Sequence, residues 1–145
     1  MKPRHRGTGL LLALLSALTL TLLGTAPASA SASTWTLEAE GQRICANPTY
    51  GWHGAYVFAP VSGSWSNPIQ VGVSDLPPGS SSEGGSTIPP GTNERDPVDG
   101  GLVVNGFVGL SIAPAPAGEY VAEIWATDGT RTQTDTLLIT LRNGC

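Results

Sequence analysis

The sequence predicts an all-β protein, and three observations lead to this prediction. After position 33, apolar residues never recur at helical spacing for more than one turn. Several segments instead alternate between apolar and polar residues and are separated by Gly and Pro clusters. Two of them flank Asp128-Gly129, a dipeptide typical of hairpins because a type I′ turn requires positive φ at both central residues.

Six segments carry these strand-like patterns. In the first, Trp35, Leu37 and Ala39 alternate with polar residues, so one face is apolar and the other is polar. The other five are residues 56–59, 69–74, 102–112, 119–127 and 130–141. Asn105-Gly106 interrupts residues 102–112, which indicates either one bulged strand or a tight hairpin.

The last two segments are expected to pair around Asp128-Gly129, with their apolar faces directed inward. These faces carry Tyr120, Ala122, Ile124 and Ala126 on the first arm and Leu137, Ile139 and Leu141 on the second. The opposite faces leave Glu123, Arg131 and Gln133 for solvent and cross-strand contacts.

Residues 76–101 contain six Gly, five Pro and four Ser, a composition typical of loops. Twenty-six residues are long for one loop within a compact domain. A functional loop, a disordered insert and an overlooked strand are the alternatives, and Ser86-Thr87-Ile88 is the candidate edge strand. We expect a partly ordered surface loop.

The first thirty residues predict an export signal. Lys2, Arg4 and Arg6 form a positively charged n-region, residues 10–23 form the apolar stretch, and Ala28-Ser29-Ala30 offers a cleavage pattern. Because these fourteen residues fall short of the roughly 20 needed to span a membrane, we expect cleavage after Ala30 and release. Residues 31–145 are then expected to form one secreted, extracellular domain.

Residues 31–145 are acidic. They contain four arginines, no lysine and all eleven acidic residues, so their net charge is −7. Binding to phosphate backbones or anionic lipid headgroups draws on clustered Lys and Arg, so nucleic acids and membrane surfaces are disfavoured as partners.

Two cysteines, Cys45 and Cys145, are present. In an oxidising extracellular compartment they predict one intramolecular disulfide, while a covalent dimer or a free thiol are the alternatives. A bridge closing about 100 residues stabilises by up to roughly 4.7 kcal/mol in the chain-entropy model.

Two stretches resemble bacterial extracellular immunoglobulin-like repeats. Residues 69–79, IQVGVSDLPPG, resemble their strand followed by an LPxG turn, and residues 116–129, PAGEYVAEIWATDG, resemble their final hairpin. The resemblance implies a Greek-key β-sandwich of about seven strands in which Tyr120 packs against the core. The overall layout, with a short signal, a TWTLEAEGQRIC start and an LPPG…IPPG…PAGEY body, is also similar to a small secreted actinobacterial family of uncharacterised function. This resemblance implies a fold but no chemistry.

Few residues of this sequence suit catalysis or metal binding. His53 is the one histidine after position 30, and no G-x-S-x-G motif accompanies it. Glu38 and Glu40 are better explained as a solvent-facing strand edge than as a glycosidase pair. Asp96 and Asp99 lack the oxygen spacing of a calcium loop. The sequence therefore predicts no catalytic residues, no metal site and no cofactor.

An aromatic-rich stretch is the best candidate for ligand binding. The candidate residues are Tyr50, Trp52, His53, Tyr56 and Trp65, with Phe58 in the same stretch. Aromatic rings on a β surface offer apolar area to sugars and to peptide side chains while their polar atoms stay hydrated. Packing of each ring in the core is the alternative.

The expected function is that of a secreted, non-catalytic binding module whose partner is an extracellular polysaccharide or protein. One alternative is an inhibitor of an extracellular protease or glycosidase, with the Pro-rich loop inserted into the target's cleft. Another is a small carrier that holds an apolar ligand between its sheets.

Overall fold

A computed structural model describes residues 34–145 of the chain. The expected export signal, residues 1–30, and its cleavage site lie outside the described residues. Within 34–145 there are strands and no helix, so the prediction of an all-β protein is confirmed. The strands are β1 (Thr34–Leu37), β2 (Arg43–Ala46), β3 (Trp52–Phe58), β4 (Val61–Trp65), β5 (Ile69–Ser74), β6 (Ser81–Gly85), β7 (Thr87–Ile88), β8 (Gly91–Asn93), β9 (Phe107–Ile112), β10 (Gly118–Thr127) and β11 (Thr132–Leu141). These eleven strands exceed the expected number of about seven.

The strands form three sheets. The five-stranded sheet has the order β2-β11-β10-β5-β7, the β3 sheet has the order β3-β9-β6, and the β1 sheet has the order β1-β4-β8. All neighbours are antiparallel except β2 and β11, which run parallel. The buried faces of the three sheets contribute to a single apolar core.

The β10–β11 hairpin follows the expected pattern along its arms, and Ala122, Ile124, Leu137 and Ile139 are fully buried. Its turn differs from the expected type I′ turn. The loop comprises four residues, 128–131, because Thr127 pairs with Thr132, and only the glycine at position 129 has positive φ. The loop instead folds around the Asp128 carboxylate, which accepts hydrogen bonds from backbone N–H groups at 130 and 131.

Residues 76–101 contain three short strands where a partly ordered surface loop was expected. β6 pairs with β9, β8 pairs with β4, and β7 is the edge strand beside β5 that Ser86-Thr87-Ile88 suggested. The chain passes from one sheet to another at Gly85, where a side chain would collide with the Val71 carbonyl oxygen. Backbone pairing of Gly and Ser produces no hydrophobic alternation, so the pattern alone could not place these strands.

The segment 102–112 is neither one bulged strand nor a hairpin. Only Phe107–Ile112 forms a strand, and the preceding residues are irregular. The Asn105 side chain accepts a hydrogen bond from Val61 N–H and donates one to the Val61 carbonyl oxygen. A side-chain amide therefore takes the place of strand pairing along this part of β4.

The predicted disulfide between Cys45 and Cys145 is present and spans 100 positions of sequence. It joins β2, at one edge of the five-stranded sheet, to the residue at position 145 beyond β11. No helix within residues 34–145 is long and apolar enough to cross a membrane.

Candidate functional site

The candidate site lies along the free edge of β3. In the part of the chain that the structure describes, β9 is the only neighbour of β3 in its sheet, and β2 is likewise an edge strand. Gln42 connects the two edges because it directly precedes β2 and its side chain bonds to the backbone of Phe58. The edges of two different sheets therefore border one open groove.

The groove has a volume of about 360 Å³. Ile44 and Val57, both buried, provide its apolar floor. Three aromatic rings line it and stay accessible, with exposed fractions of 46% for Trp52, 60% for Tyr56 and 44% for Phe58. Because these rings are not buried in the core, they can contact a ligand.

The register of β3 explains why these rings face outward. Opposite residues of an antiparallel pair point to the same side of the sheet. Val57 lies opposite the buried Val108, whereas Tyr56 lies opposite Gly109 and Phe58 lies opposite the exposed Phe107. Alternation along β3 thus sends every second side chain into the core and leaves the aromatic rings at the surface.

The rings of Tyr56 and Phe58 do not form a flat platform. Their centroids are 5.4 Å apart and their planes are inclined at 70°, an edge-to-face arrangement. The pair therefore forms a wedge of two inclined surfaces instead of one broad face.

The Gln42 side chain imitates a neighbouring strand at the edge of β3. Its Nε2 donates to the Phe58 carbonyl oxygen at 2.6 Å, and its Oε1 accepts from Phe58 N–H at 2.8 Å. The N–H and C=O of one residue in an added antiparallel strand would make the same two bonds. This edge of β3 therefore already binds an amide.

Among residues 34–145, Arg43 is the only charged residue that lines the groove. Its side chain is exposed. Within residues 34–145 no acidic side chain forms an ion pair with Arg43, and the ion pair found in this part of the chain joins Arg95 to Glu38. An unpaired cation at the groove favours a ligand that places an acidic group beside it.

The structure brings together two of the five predicted binding residues, Trp52 and Tyr56. Tyr50 is 76% exposed but lies in the turn before β3, outside the groove lining. His53 is exposed and bonds through Nδ1 to Ser111 Oγ at 2.6 Å. Trp65 is only 6% exposed and donates from Nε1 to the Pro89 carbonyl oxygen, so it belongs to the core.

Sequence reasoning missed Gln42 and Phe107 and gave no role to Phe58. Phe107 is 61% exposed and lies beside Phe58 across the β3–β9 pair. It is out of phase with the buried Val108 and Leu110, and an aromatic residue on the polar face of a strand is the signal that could have found it. No local pattern could identify Gln42, because its partner lies 16 residues away.

The His53–Ser111 pair results from direct pairing of these two residues across β3 and β9. Within residues 34–145 no carboxylate bonds to His53, so nothing there orients its ring as a catalytic triad would. In the same part of the chain no three His, Cys, Asp or Glu residues are placed to hold a metal ion.

Comparison with protein-family models finds a match over residues 36–143 to a family described as "Family of unknown function (DUF5980)". The match includes the whole groove along β2 and β3. No curated protein matches the chain.

Proposed function

The chain belongs to the DUF5980 family of unknown function, and we propose that it is a non-catalytic extracellular module that binds a protein through the groove between β2 and β3. The observation that carries this proposal is that three aromatic rings stay exposed above the apolar floor of the groove. Exposed aromatic anchors around a pocket are typical of protein interfaces.

A protein partner is favoured over a polysaccharide by the shape and polarity of the groove. The inclined rings of Tyr56 and Phe58 offer a wedge instead of a plane. The free edge of β3 next to the Gln42 amide and the cation of Arg43 match the backbone and the acidic side chains of a polypeptide.

The extracellular location is supported by the export-signal pattern of residues 1–30 and by the disulfide between Cys45 and Cys145. Within the proposal, the domain is an immunoglobulin-like Greek-key sandwich. Tyr120 supports this fold, because its hydroxyl donates to the Pro116 carbonyl oxygen at 2.8 Å. The corner tyrosine of immunoglobulin-like domains likewise bonds to the backbone a few residues upstream.

The test is retention of the disulfide-bonded protein on two kinds of matrix. One carries proteins from the culture fluid of the producing cell, and the other is an insoluble polymer such as cellulose, chitin, starch or mycelial wall. We expect retention of a protein that binds again once purified, and loss of that binding in Trp52→Ala and Tyr56→Ala. Val121→Ala is the matched control, because Val121 is 64% exposed on β10, outside the groove.

Three outcomes would contradict the proposal. Retention on a polymer that is lost in Trp52→Ala would make the module a polysaccharide binder. A protein interaction that survives both groove substitutions would place the interface elsewhere. Failure to retain any protein would remove the basis for an interaction module.

Inhibition of an extracellular hydrolase is a second candidate, favoured by the loop at 96–100. Val98 at its tip is 93% exposed, although hydrogen bonds join the backbone on either side of it. Asp96 accepts hydrogen bonds from the N–H groups of Val98 and Gly100, at 2.7 and 2.8 Å, so little ordering cost would accompany insertion into a cleft. Inhibition of proteases or glycosidases that is lost in Val98→Ser would support this function, and equal inhibition by both proteins would exclude this loop.

A further inference from the structure

The backbone of Tyr56 is directed toward the groove. In an antiparallel pair, residues alternate between those bonded to the neighbouring strand and those directed away from it. The N–H of Ala59 donates to the Gly106 carbonyl oxygen at 2.9 Å, so Val57 and Ala55 are the bonded residues within β3. Tyr56 and Phe58 therefore present their N–H and C=O groups to the free edge.

The hydrogen bonds at Phe58 verify this alternation. Both of its backbone groups bond to the Gln42 side chain and not to β9. Two residues earlier, the register directs the N–H and C=O of Tyr56 away from β9, and neither group bonds to a side chain or to another sheet within residues 34–145. The Gln42 amide thus occupies the hydrogen-bonding position at Phe58 on the free edge of β3, and the next such position, at Tyr56, is open to a ligand.

The part of the β3 edge next to the groove carries neither proline nor charge, two features that block strand addition. Natural edge strands are protected by proline, by lysine or by charges that point inward. Between Trp52 and Phe58 there is no proline, lysine, arginine or acidic residue. The bulge between His53 and Ala55 limits the open edge to the half of β3 that carries the aromatic wedge.

We propose that an extended segment of the protein partner adds to the free edge of β3 as a further strand, pairing with Tyr56 and placing an acidic side chain against Arg43. This inference rests on the proposed function and specifies its mode of recognition. Main-chain hydrogen bonds supply affinity in this mode, and alternate side chains in pockets supply specificity. Here the pocket is the apolar floor of Ile44 and Val57 between the aromatic rings.

The occupant is a segment of another protein and not a second copy of this groove. The groove lining carries one charge, that of Arg43. Two copies paired through this edge would bring two arginines toward each other and no carboxylate to either. A segment that alternates apolar and acidic residues satisfies both the floor and the cation.

The experiment uses phage-displayed random heptapeptides selected on the disulfide-bonded full chain. We expect selected peptides to share apolar residues at alternating positions and an acidic residue. Affinity is expected to fall in Tyr56→Ala and by about threefold in Arg43→Gln, the loss of one exposed ion pair. Val121→Ala is the matched control, because this exposed side chain lies on β10, outside the groove.

Methylation of single peptide nitrogens in the selected ligand tests the strand directly. Methyl groups on the amides that face β3 should weaken binding about tenfold or more, whereas methyl groups on the alternate amides should have little effect. Hydrogen exchange at the Tyr56 amide should slow when the peptide is added. This readout depends on the backbone, so it does not require a variant of the folded protein.

The outcomes separate this inference from the proposed function. Peptides that depend on Trp52 and Tyr56 but tolerate methylation at every position would overturn strand addition and leave protein binding through the groove in place. Selection of no specific peptide would also overturn strand addition. Binding unaffected by groove substitutions would contradict both.

Discussion

Trp35 and Asp128, 93 positions apart in sequence, are joined by a hydrogen bond of 2.9 Å from the indole Nε1 to the carboxylate Oδ2. Trp35 is fully buried and Asp128 is 7% exposed. The other carboxylate oxygen accepts from the N–H groups of Thr130 and Arg131 and from the Thr130 hydroxyl. One side chain therefore shapes the β10–β11 turn and attaches β1 to it.

Asp128→Asn is expected to lower the free energy of unfolding by about 1.5–3 kcal/mol. The substitution removes the negative charge that accepts these hydrogen bonds, and the new NH₂ group faces N–H donors instead of acceptors. Urea denaturation measures this change. Glu123→Gln is the control, since Glu123 is exposed on β10 and accepts no comparable set of bonds. Equal stability of wild type and Asp128→Asn would show that the carboxylate charge is unimportant.

The stability of the protein should depend on Asp128 in acid. The Trp35 indole, followed by the N–H groups of Arg131 and Thr130, holds the pKa of this carboxyl well below its ordinary value. A lowered pKa in the folded state gives stability that is present above the unfolded pKa of about 3.9 and is lost as the pH falls.

The stability difference between wild type and Asp128→Asn should therefore be constant from about pH 7 to pH 5 and shrink toward about pH 2. Urea denaturation of both proteins across this range measures it. If both proteins lost the same amount of stability as the pH falls, other carboxylates would be responsible for the acid sensitivity.

Trp65 and Trp52 should behave differently although both lie in the aromatic-rich stretch. Trp65→Ala should lower the free energy of unfolding by about 3–5 kcal/mol, because it empties a core site and leaves the Pro89 carbonyl oxygen without its donor. Trp52→Ala should change it by less than about 1 kcal/mol, since the ring is 46% exposed. Thermal and urea denaturation compare the pair, and similar losses would contradict the assignment of Trp52 to the surface.

The disulfide should stabilise the groove as well as the fold. Replacing Cys45 and Cys145 by serine should cost up to about 4.7 kcal/mol, because the unfolded chain gains the freedom of a loop of 100 residues. β2 is an edge strand, so hydrogen exchange over Arg43–Ala46 should accelerate more than over β10. The wild type with its disulfide reduced serves as the control for the two serine substitutions. Uniform acceleration in all strands would show that the bridge has no local effect on β2.

Gly85→Ala tests the crossing between sheets. The added methyl group would collide with the Val71 carbonyl oxygen, so a loss of at least about 2 kcal/mol is expected. Gly118→Ala is the matched control, because open space surrounds that position and its effect should stay within about 0.5 kcal/mol. Denaturation midpoints of the two variants provide the comparison. Tolerance of alanine at position 85 would mean that β6 does not approach β5 this closely.

Side-chain alternation predicted the strands that have one apolar and one polar face. The β10–β11 arms, β5 and the Trp35 strand were predictable because their buried apolar side chains occupy alternate positions. β6 and β8 were not, since their pairing depends on backbone groups of Gly, Ser, Thr and Asn with little apolar content. The four-residue turn was also missed, because side-chain bonds to Asp128 overrode the usual preference of Asp-Gly.

The sequence by itself determined the all-β class, the inward faces of the main hairpin, the acidic charge and the cysteine pair. These properties follow from local alternation and composition, which act within a few residues. Only the tertiary structure decided which rings stay exposed: it buried Trp65 against Pro89 and assembled Trp52, Tyr56 and Phe58 beside Arg43. That choice depends on the neighbours each strand acquires, and the Gln42 amide bonded to Phe58 is a contact that no local pattern contains.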